Sequence, residues 1–496
     1  MTEHRLSRLS VLVAVVQTAA VVLLIAVPTT LVLALLWTPW SALGVLGVVA
    51  LVVGGVALGS WLVWKNTSWT VTPEQFVLRS GVFKRTTRTF ARNRIRAIDL
   101  SAGPLQRLFG LATLHIGTAE QTGSDGSAKL SPVDRASAQQ LQAELLPRGV
   151  ADARVLGRFA PAWLAYAPLS WVPLVIAAGI WGIALQFADG FGELAWDWVI
   201  GTAARAGWGV VVTALVVVPL VLGIIGSLLV HAELWWNHRL ERDAGLLQVR
   251  RGLLTTRTVS LPEERLRGVR VAEPLGVRLA GAAQVEALAI GLKNQGSEGG
   301  KNDLSQSNVL LPYAPRDIAD AVAAKVLETD GPATAPELLA PHPRQAFLRR
   351  RLRVLWVVLG WLVVTVPLVV ALLPGWWWAM ALGVVVIAAA GLWLARDGWR
   401  SLGHRLDEHY LVARSGSLHR TTDALEREAI IGWNVRQSWF QRRRGLVTLE
   451  ATTGAGSGSV GVLDVATADG IALADAATPG LLTPFLATSS PVPAPR

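Results

Sequence analysis

The feature that most limits what this chain can fold into is a set of four tracts without a single charged side chain, residues 9–64, 159–188, 206–232 and 354–395. A hydrocarbon core about 30 Å thick is spanned by roughly 20 helical residues, so the first and last tracts each hold two spans and the middle two hold one apiece. Six spans are predicted, near 12–36, 42–64, 168–187, 208–230, 354–373 and 376–395. Their ends fall where Trp or a charge appears, because indoles favour the headgroup zone and charges avoid hydrocarbon. The spans pair into three hairpins. The outer two turn tightly at Thr38-Pro39-Trp40-Ser41 and at Pro374-Gly375, whereas a loop over 188–207 with Asp189, Glu193, Asp197 and Arg205 joins the middle pair. With 52% apolar and only 16% charged residues, an ordinary soluble enzyme is excluded. Zero cysteine excludes disulfides, thiolate metal sites and a cysteine nucleophile.

The remaining flanks are basic. Arg5 and Arg8 precede the first span, Lys65 follows the second, Arg154 and Arg158 precede the third, Arg344 and Arg349 to Arg353 precede the fifth, and Arg396 and Arg400 follow the sixth. Cytoplasmic flanks carry the excess of Lys and Arg, which places both termini and all large polar segments in the cytoplasm of a multi-pass cell-membrane protein. The apolar run after Arg8 is about twice the length of a signal-peptide core and lacks a small-residue cleavage site, so the first span is expected to stay uncleaved. The Arg349 to Arg353 cluster reads as a topology anchor. The spans hold no ionisable side chain, only Gln17, Gln186 and scattered Ser and Thr, whereas coupled transporters need such groups at membrane depth. A transporter or channel component is therefore the lesser reading.

After each hairpin lies a polar segment, and the three align on Gly81, Gly252 and Gly416. Arg79, Arg250 and Arg414 stand two positions earlier, and Thr87, Thr258 and Thr422 six positions later. Further on come Ile95, Leu266 and Ile430, then Arg107, Arg278 and Arg442, then Gly110, Gly281 and Gly445, each set at one shared offset. Glycine is under a tenth of the chain, so the spacing marks a repeat in which a hairpin is followed by a soluble module. The six glycines are its structural positions.

The flanks of the first glycine, Gln75-Phe76-Val77-Leu78 and Val82-Phe83, suggest a strand, a tight turn and a returning strand. Arg94-Ile95-Arg96-Ala97-Ile98-Asp99-Leu100 and its counterpart from Arg265 alternate with period two, as half-buried strands do. Loop tips are expected over 121–126, 294–300 and 454–459, and closing helices over Asp134 to Leu146, Pro315 to Leu327 and Thr467 to Ala477. In the first helix Asp134 is the expected N-cap, and Ala136, Leu141 and Leu145 share its apolar face.

The Arg-Ser-Gly-Val turn at 79–82, the basic strand ending in Arg94-Ile95-Arg96-Ala97-Ile98, and Arg107-Leu108-Phe109-Gly110-Leu111-Ala112 are similar to the bacterial pleckstrin-homology-like domain of the YdbS/YdbT family of membrane proteins. The second segment departs with Arg-Leu-Ala-Gly at 278–281. The third departs with Ala429 at the position of Arg94 and Arg265, and with Trp433 and Trp439. The resemblance implies a seven-stranded barrel with a C-terminal helix on each hairpin, and a membrane scaffold or sensor without catalysis. It also implies a hetero-complex with a smaller PH-like membrane protein. The expected fold class is therefore six transmembrane helices in α-helical hairpins plus three cytoplasmic PH-like β-barrel modules, each closed by a C-terminal helix.

The domain reading places hairpins at 1–64, 161–230 and 346–395, modules at 65–160, 231–345 and 396–480, and a disordered tail at 481–496. Lys84, Arg85, Arg88, Arg92, Arg94 and Arg96 form the candidate contact for anionic lipid headgroups, each basic group near such a surface contributing about 1 kcal/mol. Nucleic acid is not expected as a partner, since no recognition signature accompanies the net charge of +11. The His pairs lack the spacing of a helical zinc site, and neither a phosphate loop, a dinucleotide fingerprint nor a nucleophile elbow occurs, so no cofactor, metal or catalytic residue is expected. An accessory subunit of a cell-envelope enzyme complex is the other alternative.

Overall fold

The computed structural model describes residues 4–5, 7, 9–36, 39–72, 74–81, 85–91, 95–118, 127–145, 154–243, 245–290, 308–372 and 375–482. One order of elements occurs three times. The first stretch runs β1 (His4–Arg5), α1 (Leu9–Leu36), α2 (Pro39–Lys65), β2 (Ser68–Val71), β3 (Gln75–Ser80), β4 (Thr86–Ala91), β5 (Ile95–Ala102), α3 (Pro104–Leu108), β6 (Leu111–Thr118), β7 (Ser127–Asp134) and α4 (Arg135–Leu145). The second runs β8 (Arg154–Arg158), α5 (Val172–Ala206), α6 (Trp208–Trp235), β9 (Arg239–Asp243), β10 (Leu246–Arg251), β11 (Thr256–Pro262), β12 (Leu266–Pro274), α7 (Leu275–Leu279), β13 (Ala282–Ala289), β14 (Val309–Pro315) and α8 (Arg316–Leu327). The third runs β15 (Ala340–Pro341), α9 (Arg344–Leu372), α10 (Trp377–Arg400), β16 (Gly403–Leu406), β17 (Tyr410–Ser415), β18 (His419–Glu426), β19 (Gly432–Arg436), α11 (Trp439–Arg442), β20 (Leu446–Thr452), β21 (Ser459–Ala466) and α12 (Thr467–Ala477).

Each stretch has the seven strands that the resemblance implies, but no closed barrel is found among the described residues. The sheets are open, in the orders β1-β2-β3-β4, β7-β6-β5-β11-β10-β9-β8, β14-β13-β12-β18-β17-β16-β15 and β19-β20-β21. The reason is an exchange of neighbours. In two places the fourth strand of one stretch pairs with the fifth strand of the stretch before it, β11 with β5 and β18 with β12. The chain divides into two compact units, residues 1–159 with 232–265, and 160–231 with 266–496, and each seam lies inside one of them.

In the first unit, alternate residues of β2 to β4 (Trp69, Phe76, Leu78, Phe90) pack against Ile98, Leu114, Ile116 and Leu130 of β5 to β7 and against Ala138, Leu141 and Leu145 of α4. Asp134 caps α4, its Oδ2 accepting the amides of Ala136 (3.1 Å) and Ser137 (3.3 Å). The buried face of α4 contains Ala138 and not Ala136, which is exposed, because 138, 141 and 145 keep helical spacing. In the second unit Leu411, Leu425, Leu449, Val462 and Leu473 form the matching core of the third stretch.

The helical pairs also differ from expectation. Among the described residues four helices are long and apolar enough to cross a membrane, Gly44–Lys65, Trp208–Trp235, Arg344–Ala371 and Trp377–Arg400. The count becomes five if Pro161–Leu169 and Val172–Gln186, bent by 56°, form one span. That break falls in the predicted span 168–187, where Pro168 and Pro173 each remove a backbone donor. The predicted span 12–36 lies on α1 (Leu9–Leu36), whose side chains are described without a gap only over Leu9–Leu23. The expected loop over 188–207 is helix, since α5 runs without interruption from Val172 to Ala206. Asp189, Glu193 and Asp197 recur every fourth residue, a helical period that loop composition concealed. The loop tips at 121–126 and 294–300, and residues 483–496 of the expected tail, lie outside the described residues.

The six predicted glycines all have positive φ, 128° at Gly81, 67° at Gly110, 113° at Gly252, 70° at Gly281, 101° at Gly416 and 60° at Gly445. The second glycine of each stretch has a recurring task. Its carbonyl accepts the first amide of the closing helix, Arg135 on Gly110, Arg316 on Gly281 and Thr467 on Gly445, each at 2.9 Å.

Candidate functional site

In the first unit the chain leaves α6 and enters β9 through Trp236, Asn237 and His238, while the turn between β10 and β11 folds back onto the helix end. The Gly252 amide donates to the Trp236 carbonyl (2.8 Å) and the Leu253 amide to the Glu233 carbonyl (3.1 Å). The Glu233 carboxylate accepts the amides of Leu254 (2.9 Å) and Thr255 (2.7 Å). Only glycine fits at 252, where a Cβ would meet the Thr255 carbonyl oxygen at 1.9 Å. The Arg251 guanidinium, on a side chain 2% exposed, lies 4.1 Å from the centre of the Trp235 ring.

Beside this junction is a cavity of about 450 Å³ lined by Arg107, Arg158, Arg239, Arg250 and Arg251, with Glu241 as the only carboxylate among the described residues. Glu241 pairs with Arg239 at 3.3 Å. Arg107 spans the seam and donates to the carbonyls of Leu253 (2.9 Å) and Leu254 (3.2 Å). The remaining positive charge, with Asn237 and Thr256 as neutral partners, suits an anion with several oxygens, since guanidinium forks match phosphate and carboxylate geometry. At the corresponding place after α2 a smaller cavity of about 250 Å³ is lined by Lys65, Asn66, Arg79 and Arg85. Lys65 Nζ lies 5.2 Å from the Trp61 ring. The third stretch fills the equivalent space itself, because Arg414 donates to the carbonyls of Ser401 (2.9 Å) and Arg400 (3.4 Å).

Of the predicted headgroup contacts, Arg85 is exposed in the smaller cavity and Arg88 is half-buried on β4. Lys84, Arg92, Arg94 and the side chain of Arg96 lie outside the described residues. The structure brings Arg85 together with Lys65 and Arg79. Sequence reasoning passed over Glu233 and Asp397, although both precede their anchor glycine by the same interval and the first stretch has Leu62 there.

Asp397 organises the second seam. It accepts from Arg278 Nη2 (2.9 Å), Arg420 Nη2 (3.1 Å) and Ser417 Oγ (2.7 Å). Along the same seam Arg270 holds Asp423 with two bonds of 2.6 and 2.8 Å, and Arg267 meets Glu426 at 2.9 Å. The expected topology anchor has a packing role as well, since Arg349 and Arg350 both pair with Asp464, a side chain 3% exposed on β21. Nearby, His342 Nε2 and His404 Nδ1 are 2.9 Å apart. Burial, and then the neighbouring His404, push the His342 pKa down to about 4.

A family model described as bacterial PH domain matches residues 9–149 and 352–477, more than half of the chain. No curated protein and no solved structure matches.

Proposed function

We propose, from the premise that this chain belongs to the bacterial PH domain family, that it is a non-enzymatic membrane scaffold or sensor. In this reading three PH-like modules of the YdbS/YdbT kind sit on the cytoplasmic face, with both termini in the cytoplasm, and the helical pairs form a multi-pass anchor. The modules contact anionic lipid headgroups and PH-like membrane proteins, a smaller relative among them.

The observation that carries the reading is the arginine-lined cavity beside the end of α6, with a second basic cavity in the same place at the end of α2. A span that exits at the headgroup layer brings such a cavity within reach of lipid phosphates, and clustered Arg near an anionic surface adds about 1 kcal/mol per residue.

The test uses the full chain in nanodiscs of phosphatidylcholine alone or mixed with phosphatidylglycerol, with retained lipid counted by native mass spectrometry. Preferential retention of phosphatidylglycerol that falls about fivefold for each of Arg239→Ala and Arg250→Ala is expected. Equal retention of both lipids, or no change in the variants, refutes the lipid reading.

A further inference from the structure

The two seams inside the chain obey one rule, and the same rule leaves a matching edge at each end. In the first seam Thr258 lies opposite Leu100, Val259 opposite Asp99 and Arg257 opposite Ser101. In the second, Thr422 lies opposite Val271, Asp423 opposite Arg270 and Thr421 opposite Ala272. Counted from the anchor glycines these are the same positions, so the register of the two seams is identical. Each places the shared Thr of a fourth strand against an apolar residue of the preceding fifth strand.

Among the described residues two strands have no partner under this rule. β4 is an edge of the first sheet and carries Thr87, while β19 is an edge of the last and carries Val435. Leu100 is 9% and Val271 0% exposed, whereas Val435, in the equivalent position, is 53% exposed, with Ile431 beside it at 71%. Arg442 tells the same story. Arg107 and Arg278, its counterparts, each grip the stretch that follows, while Arg442 is exposed.

We infer that β19 and β4 are the two halves of a third seam, formed between two copies of this chain joined head to tail. Such an interface is heterologous, with different patches on the two copies, and open edges of this kind accept a further strand through their free backbone groups. The in-chain register sets Val435 of one copy opposite Thr87 of the other, Asn434 opposite Arg88 and Trp433 opposite Thr89, with no like charges facing. A second copy is favoured over an unrelated strand because this chain itself supplies both complementary edges. Each in-chain seam joins a sheet half that carries its own helical pair, so a seam between copies keeps both in one bilayer. The inference stands apart from what the cavities bind.

The chain lacks cysteine, so the test is clean. Two differently tagged full-length copies, one Val435→Cys and one Thr87→Cys, are co-expressed and oxidised in native membranes. Residues directly opposite in an antiparallel pair have Cα atoms about 4.5–5.5 Å apart, within the roughly 4.4–6.8 Å a disulfide accepts. A disulfide-linked dimer carrying both tags is expected, with little product when Asn434→Cys replaces Val435→Cys, because a one-residue slip turns the side chain to the other face. In cysteine-free copies, Val435→Lys is expected to lower co-purification of the two tags at least tenfold. Absence of the dimer in folded protein overturns the inference. So does a crosslink from residue 435 to a different protein, such as a smaller PH-like relative, or a doubly substituted chain whose disulfide closes within one copy.

Discussion

Replacing Asp397 by Asn tests whether a single carboxylate holds the second seam together. Asn keeps the size and one acceptor but removes the charge that Arg278 and Arg420 share. Their side chains are 10% and 18% exposed, and that of Asp397 is 19% exposed. Breaking a buried pair by removing one partner costs about 3–5 kcal/mol, and partial solvent access brings the expectation here to about 3 kcal/mol. The assay is amide hydrogen exchange of the protein in nanodiscs, read over β12 and β18, where local opening reports directly on the seam. A loss of about 3 kcal/mol raises exchange there roughly a hundredfold, while the β2 to β4 sheet of the other unit keeps its protection. Arg278→Met should cost less, about 1–2 kcal/mol, because Asp397 retains Arg420 and Ser417. The double variant should fall short of the summed effects by at least about 1 kcal/mol, since the two groups are in contact. Seam exchange unchanged within threefold for Asp397→Asn, or strict additivity, would refute the reasoning.

Three further outcomes are expected. His342 is held neutral in the fold, with its pKa lowered from 6.5 to about 4 by burial first and by His404 second. Its contribution is therefore complete above pH 6.5 and is lost as pH falls from there toward 4, about 2 kcal/mol of it by pH 5. Exchange at β15 and β16 should rise over that window in the native chain and rise less in His342→Gln, in which His404, its pKa also lowered by burial, still titrates. The glycines separate by geometry. Gly416→Ala sets a Cβ 2.0 Å from the His419 carbonyl oxygen at φ +101° and should cost at least about 3 kcal/mol. Gly445→Ala has open space at φ +60° and should cost about 1 kcal/mol, so equal thermal midpoints in one detergent would contradict this account. Glu233→Gln loses one of two charge-assisted acceptors, about 1–2 kcal/mol, and should speed exchange of the Leu254 and Thr255 amides; unaltered rates there would deny Glu233 its capping role.

Much of this architecture was legible before any coordinates, and the part that was not has a definite cause. Alternation in Gln75 to Leu78 and Ile95 to Leu100 reports which face of a strand is buried, and the cores around Phe76 and Ile98 agree. It does not report which strand lies alongside. A β-strand bonds laterally through its backbone, which every sequence supplies, so β5 could meet β4 or β11 with the same pattern of side chains. The shared offsets of Arg79, Arg250 and Arg414 did point at the helix ends, where two line cavities and the third plugs its own. The shared Arg107 and Arg278 mark the two seams, although nothing in their spacing says that they act on the following stretch. Of the basic run from Lys84 to Arg96 the side chains of Arg85 and Arg88 are described, and Arg85 shares a cavity with Arg79 and with Lys65, twenty residues earlier at the end of α2.

The topology also fixes how each helical pair is tied to its sheet. Each helical pair is inserted between the first two strands of a sheet, with β1 paired to β2, β8 to β9 and β15 to β16. Both ends of every pair are therefore tied to neighbouring strands a single ladder apart, and a change in separation or tilt of the two helices must be absorbed as shear across that ladder. Where the ladder is short, as at Ala340 and Pro341, few hydrogen bonds resist. Shear passed inward arrives next at Glu233 on α6 and at Asp397 on α10, the groups that fasten a helix end to the seam. Neutralising either carboxylate should loosen its helix end from the seam while leaving the buried cores around Phe76 and Leu449 in place.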